Sequence, residues 1–391
     1  MRYDPRVLTP RSYALALCAI GLGVTVGLMA LALYLVPLSG TERVMGGNLA
    51  RMAWHSRNAY GANAPQRVFE PPLFAVGTKV DAPYDVVVLG DSFTLLDVAK
   101  SWPNYLAARG FSVLAIHLAG NEAKPSDAAD IETQIDALLR SPGFRAHPPR
   151  VLVLQMVEST LRRRLLGDAA GCDDLPEVGS AVVRNVVAGD FSLRPAPPHE
   201  VRDLNLHARR YDDQQLTYAR DFLFRNVQRA LGRWTPDVRE LELRTARFSS
   251  RHPRTLLVVS HDVHKAQWTR DDVERMRCQL LRVQHRVEAD GRTLFVAMLV
   301  PDKLSAYHAD LLDPAAPRSV LDTVIDPWLN APRVDAAIRG AIEAGTLDVY
   351  LPDDTHFGTA GHAIAADAVG RYLGRRLGTD AAARRASAGS P

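Results

Sequence analysis

From residue 85 onward, short β-rich runs alternate with amphipathic helical patterns, and that rhythm restricts the chain to few folds. Residues 85–89, 111–116, 151–157, 255–260, 293–300 and 347–351 are strand candidates, with amphipathic stretches at 127–139 and 271–287. Strands returning in this rhythm need long crossovers, so they pair in parallel, and helices bury both faces of the sheet. The expected class is therefore α/β. The rhythm breaks once, at about 158–254, where Leu193-Arg194-Pro195-Ala196-Pro197-Pro198 precedes a helical pattern through Tyr218, Phe222, Phe224 and Val227. An insertion placed there either shapes a cleft or stands aside as a lateral subdomain.

Ahead of this region, residues 12–40 contain no charge, with Arg2, Arg6 and Arg11 before them and Glu42 and Arg43 after. At about 1.5 Å per helical residue such a run crosses the ~30 Å bilayer core. The basic flank keeps the N-terminus cytoplasmic and exports the rest, which makes 12–39 a single-pass anchor in the inner membrane and 1–11 a cytoplasmic tail. A cleaved signal would have an apolar region of about 7–15 residues and a small-residue cleavage site, and Tyr34-Leu35-Val36-Pro37 is a poor one. Residues 40–84, with Gly61-Ala62-Asn63-Ala64-Pro65 and Pro71-Pro72, read as a stalk, linker or wrapping arm, and 376–391 as a disordered tail.

The balance of 47 Lys and Arg against 44 Asp and Glu gives a formal charge of +3, with no basic stretch interleaved with aromatics. Nucleic acid is excluded as a partner on that ground. Cys18 lies within the apolar run. Cys172 and Cys278 lie outside it, where an oxidising compartment permits a disulfide between them, and two separate buried thiols satisfy the sequence equally.

Gly90-Asp91-Ser92-Phe93 follows the apolar run Val86-Val87-Val88-Leu89, and Asp353-Asp354-Thr355-His356-Phe357 lies far downstream. A serine exposed at the end of a buried strand needs a base, and an imidazole oriented by a carboxylate supplies one. Ser92 is thus the candidate nucleophile and His356 the candidate base. Either Asp353 or Asp354 orients the ring through Nδ1–H, leaving the other to cap the helix expected near Thr359. His261-Asp262-Val263-His264 lacks the further ligands that a closed zinc site requires, so it reads as polar cleft lining. No metal or other cofactor is expected.

The two motifs, Val87-Val88-Leu89-Gly90-Asp91-Ser92-Phe93 and Asp353-Asp354-Thr355-His356-Phe357-Gly358-Thr359-Ala360-Gly361-His362, resemble those of the SGNH (GDSL-like) hydrolase superfamily over roughly residues 85–373. The resemblance implies a flavodoxin-like α/β/α sandwich for the domain at 85–375. Val151 to Leu161 and Val300-Pro301-Asp302-Lys303 with Tyr307 are similar to the membrane-anchored alginate and peptidoglycan O-acetyltransferases. In the superfamily a glycine and an asparagine join the serine amide in the oxyanion hole, which the resemblance carries onto Ser92, Gly120 and Asn121. The Gly-x-Asn-Asp block is replaced after the third strand by Gln155-Met156-Val157-Glu158, and the Asp-x-His motif follows the serine, unlike the alginate enzymes.

These readings make the chain an extracytoplasmic O-acetyltransferase of a cell-surface polysaccharide, working through an acetyl-serine intermediate. Glu158, Lys303 and Tyr307 are candidate contacts for the sugar or acyl donor. The family implies a multi-pass membrane O-acyltransferase as the partner that delivers acetyl groups. An esterase or polysaccharide deacetylase on the same scaffold is the first alternative, and a non-catalytic glycan-binding component of a secretion complex the second.

Overall fold

The computed structural model describes residues 9–35, 47–55, 60–118, 131–165, 195, 197–204, 221 and 224–377. Their strands are β1 (Gln66–Glu70), β2 (Ala75–Gly77), β3 (Val86–Gly90), β4 (Val113–His117), β5 (Val151–Val157), β6 (Glu200–Leu204), β7 (Val238–Glu242), β8 (Thr255–Val259) and β9 (Leu294–Val300). Five of them form one parallel sheet in the order β2-β4-β3-β5-β9. From β3 onward this is the doubly wound order of flavodoxin-like sheets, whose crevice opens where the winding reverses, beside the carboxyl end of β3.

Alternate residues along the strands feed two separate cores. Val86, Val88, Val151, Val153, Val296 and Met298 pack on one side, against helices that include Val334–Glu343 and Thr359–Leu377. Val87, Leu89, Leu152, Leu154, Phe295 and Ala297 pack on the other, against Ile131–Arg140 and Arg270–Glu288. Strands apolar on both faces are what helical layers above and below require, as the alternation predicts.

Two expectations change. Residues 255–260 were expected in the parallel sheet, but β8 pairs antiparallel with β7 in a separate two-stranded sheet. Its apolar run satisfies burial with either partner, so hydrophobicity alone does not select one. Residues 347–351 form no strand: Asp348 takes a left-handed backbone (φ 49°), and only Tyr350 and Phe357 bridge. The segment at 40–84, read as a stalk, linker or wrapping arm, follows the arm reading where it is described. It supplies β2 to the edge of the main sheet, and β1 pairs antiparallel with β6 of the insertion.

The helix Pro10–Leu35 includes a span, Pro10–Leu31, long and apolar enough to cross a membrane. Phe224 and Val227 of the expected helical pattern are exposed on a helical stretch, whereas Tyr218 and Phe222 lie outside the described residues. Cys278 is disulfide-bonded and Cys18 is a free thiol; Cys172 and residues 378–391 are likewise outside the described set.

Candidate active site

Ser92 opens the short helix Ser92–Leu95 directly beyond β3. The strand turns tightly at Gly90, where a Cβ would overlap the Thr94 side chain. Asp91 caps the helix: its Oδ1 accepts the Phe93 N–H (3.0 Å) and its Oδ2 the Val157 N–H of β5 (3.1 Å). Buried Gln155 accepts from the Asp91 N–H (3.1 Å) and the Thr94 hydroxyl (2.8 Å), and the Trp102 indole N–H donates to Thr94 Oγ1 (3.1 Å). In a low-dielectric interior such a network fixes geometry. The serine is therefore held by β3, β5 and their shared polar layer.

His356 comes from the loop after Tyr350, which turns back on itself through Leu351 N–H to His356 O (3.0 Å). Its Nε2 lies 2.8 Å from Ser92 Oγ and its Nδ1 2.6 Å from Asp354 Oδ1. Asp354 thus takes the orienting place. Burial pushes the Asp354 carboxyl up, but His356 beside it and the N–H donors of Asn48 and His356 hold it down at about 2. Asp353 serves elsewhere: its Oδ2 accepts the Gly47 N–H (3.0 Å). It does not cap the helix Thr359–Leu377, whose first N–H goes to Gln66 Oε1 (2.9 Å). An anionic carboxylate on Nδ1–H leaves Nε2 free to take a proton from the serine hydroxyl, which is the arrangement of an acyl-transfer triad.

Gly120 and Asn121 lie outside the described residues. Of the three residues assigned to substrate contact, Lys303 lines the cleft that holds Ser92 and His356, whereas Glu158 and Tyr307 do not. Glu158 is fully buried, and its Oε1 accepts the Val320 N–H (2.7 Å) beside the Lys265–Asp302 ion pair (2.5 Å). Burial and the nearby Asp302 raise its carboxyl. Tyr307 is also fully buried, with its hydroxyl accepting the Tyr350 N–H (3.3 Å). Neither reaches solvent, so neither meets a sugar directly. Lys303 is 1% exposed, and its Nζ donates to the carbonyls of Leu351 (2.7 Å), Pro352 (2.9 Å) and Asp354 (2.9 Å). Its donors are engaged by the loop that carries His356. Burial lowers the Lys303 ammonium to about 7 against the opposing pull of Asp353 and Asp354.

Ser92 and His356 open into a cleft of about 820 Å³. Residues of the insertion, among them Thr160, Arg163 and Asp237, line it together with His261, His264 and Trp268. The sequence reading missed the arm residues. Asn48 lines the same cleft and bonds to both Asp354 and Thr355. A glycine and an asparagine in an aperiodic stretch carry no motif, so no sequence signal marked them.

Residues 257–390 match the family model for an SGNH hydrolase-like domain, acetyltransferase AlgX. The chain resembles the alginate-type SGNH acetyltransferases. No curated protein and no solved structure matches it. The matched stretch holds β9, Lys303, Asp354 and His356, while β3 and Ser92 precede it. An SGNH hydrolase-like α/β domain is the fold that this match and the parallel sheet have in common.

Proposed function

We propose that this chain is an extracytoplasmic O-acetyltransferase that esterifies hydroxyls of a polysaccharide through an acetyl-Ser92 intermediate. The carrying observation is the relay Ser92 Oγ, His356, Asp354, with links of 2.8 and 2.6 Å, opening into the cleft. Ser92 Oγ attacks the acyl carbonyl as His356 Nε2 takes its proton, and Asp354 stabilises the imidazolium without accepting that proton. The imidazolium then protonates the leaving group. In the second half His356 deprotonates an acceptor hydroxyl, which attacks the acetyl-serine and frees Ser92. The Ser92 amide faces the developing oxyanion. The apolar helix Pro10–Leu35 anchors the chain, and a membrane-bound acyltransferase supplies the acetyl group on the exported side.

Transfer and hydrolysis differ in what is held in line with the acetyl-serine carbonyl, since an oriented sugar hydroxyl gains effective molarity over water. With an acetyl ester donor and oligosaccharides of defined composition, the purified protein is expected to yield acetylated sugar faster than free acetate. Acetate release alone, at every acceptor concentration and from acetylated glycan as well, would replace this reading with the esterase one.

A further inference from the structure

We propose that Asn48, on the arm following the apolar helix, is a positioning residue for Asp354 and the loop that carries His356. This rests on the triad reading above. His356 occupies Asp354 Oδ1, and the Asn48 backbone N–H donates to the other oxygen, Oδ2 (2.9 Å). The Asn48 side chain brackets the residue between the two catalytic ones: its Oδ1 accepts the Thr355 N–H (2.9 Å) and its Nδ2 donates to Thr355 Oγ1 (2.8 Å). Neighbouring donors extend the seam, with Gly47 N–H on Asp353 Oδ2 (3.0 Å) and Ala50 N–H on Asp353 O (3.1 Å).

The close approach is built in at Gly47, where any Cβ would overlap the backbone and side chain of Asp353. The donors are fixed independently of the loop. Leu49 and Ala53 are buried in an apolar cluster with Val238, Leu257 and Val259, so the arm is seated on β7 and β8. A backbone N–H aimed at a carboxylate oxygen favours the anion. The anion is the form that keeps Nδ1–H of His356 pointed at Asp354 and Nε2 at Ser92.

Asn48 is the first residue of its helix, and Gly47 before it is extended (φ −64°, ψ 156°). A first-turn N–H has no partner within the helix, and proline is well accommodated there after an extended residue. Asn48→Pro therefore deletes the donor to Asp354 while leaving the helix able to form. Asn48→Ala keeps that donor and deletes only the contacts to Thr355.

The test measures p-nitrophenyl acetate turnover and fluorophosphonate labelling of Ser92 in detergent-solubilised full-length protein. Both substitutions are made in the wild-type and Asp354→Asn backgrounds, with Ser92→Ala alongside. A hydrogen bond to a charged group predicts a fall of about 10- to 100-fold in kcat for Asn48→Pro, with KM unchanged, and a few-fold fall for Asn48→Ala. In Asp354→Asn each loss shrinks to under about two-fold, because coupled residues are not additive. Full activity of Asn48→Pro, or equal losses in both backgrounds, overturns the proposal. If Asn48→Pro does not accumulate folded, Asn48→Ala decides by the same pair of outcomes. An active, unlabelled Ser92→Ala would remove the triad itself, whereas an inactive Ser92→Ala beside normal Asn48 variants removes only the role of the arm.

Discussion

Ser92 stands just beyond a strand whose five residues are all buried, whereas His356 stands on a loop with an isolated bridge beside it. The serine is fixed by its own strand, its own short helix and the adjacent strand β5, through Asp91, Thr94 and Gln155. The histidine is fixed by parts remote in sequence, the Lys303 ammonium and the arm at Gly47 and Asn48. Strand geometry tolerates loss of one side-chain bond because the backbone ladder remains. A loop without a ladder depends on each polar contact individually. Damage on the serine side should therefore appear as lost stability, and damage on the histidine side as lost rate.

The largest expected effect falls on the reacting groups themselves. Ser92→Ala or His356→Ala is expected to lower kcat for a small acetyl ester by about 10³-fold or more, and the double variant by little beyond that. Asp354→Asn should follow at about 10²- to 10⁴-fold, with Asp353→Asn limited to about a few-fold because it bonds the arm and not the imidazole. Equal losses at the two aspartates, measured side by side, would break the assignment.

Next in size is Lys303→Met, expected to lower kcat about 10-fold or more by removing the Nζ that joins the carbonyls of Leu351, Pro352 and Asp354. It also carries a pH signature. The Lys303 value of about 7 lies below the roughly 10.4 of an unfolded lysine, so between them the unfolded chain holds more protons. The folded state is then penalised most below pH 7, and stability rises with pH across that window. Urea midpoints from pH 6.5 to 9.5 should climb more steeply for the wild type than for Lys303→Met. Parallel slopes would show that this lysine does not titrate in the fold.

The smallest effect on rate is expected at Gln155→Leu. It orphans the Asp91 N–H and the Thr94 hydroxyl, at about 1–3 kcal/mol of stability for each buried group. The folded fraction should retain kcat within about a few-fold. A Gln155→Leu protein of normal stability but collapsed kcat would erase the contrast between the two sides.

Much of this arrangement was legible in the residues. The run Val86–Leu89 ending in Gly90-Asp91-Ser92 is local, and period and motif both report it. The parallel sheet followed from alternation in the same way. Asp353 and Asp354 were inseparable in sequence because both stand within reach of His356, and the choice depends on which carboxylate the backbone turns toward Nδ1. Residues 47–84 looked unstructured because β2 is a three-residue edge strand and β1 draws its partner from the insertion. Glu158, Lys303 and Tyr307 were read alike as candidate contacts, yet only Lys303 lines the cleft while Glu158 and Tyr307 are buried away from it, because spacing does not say whether a polar side chain turns into the cleft or into the protein.

The bond between Gly47 and Asp353 spans 306 positions of the chain. Closing a loop of that length costs only about 0.6 kcal/mol for each doubling, so the expense is kinetic more than thermodynamic. Gly47 and Asn48 must wait for residues 353–355 to leave the ribosome before their bonds can form. A chain interrupted between residues 301 and 353 has made Ser92 and all five strands of the main sheet but has neither His356 nor the Asp354 that orients it, so the order of synthesis sets the order in which the two halves of the site come together.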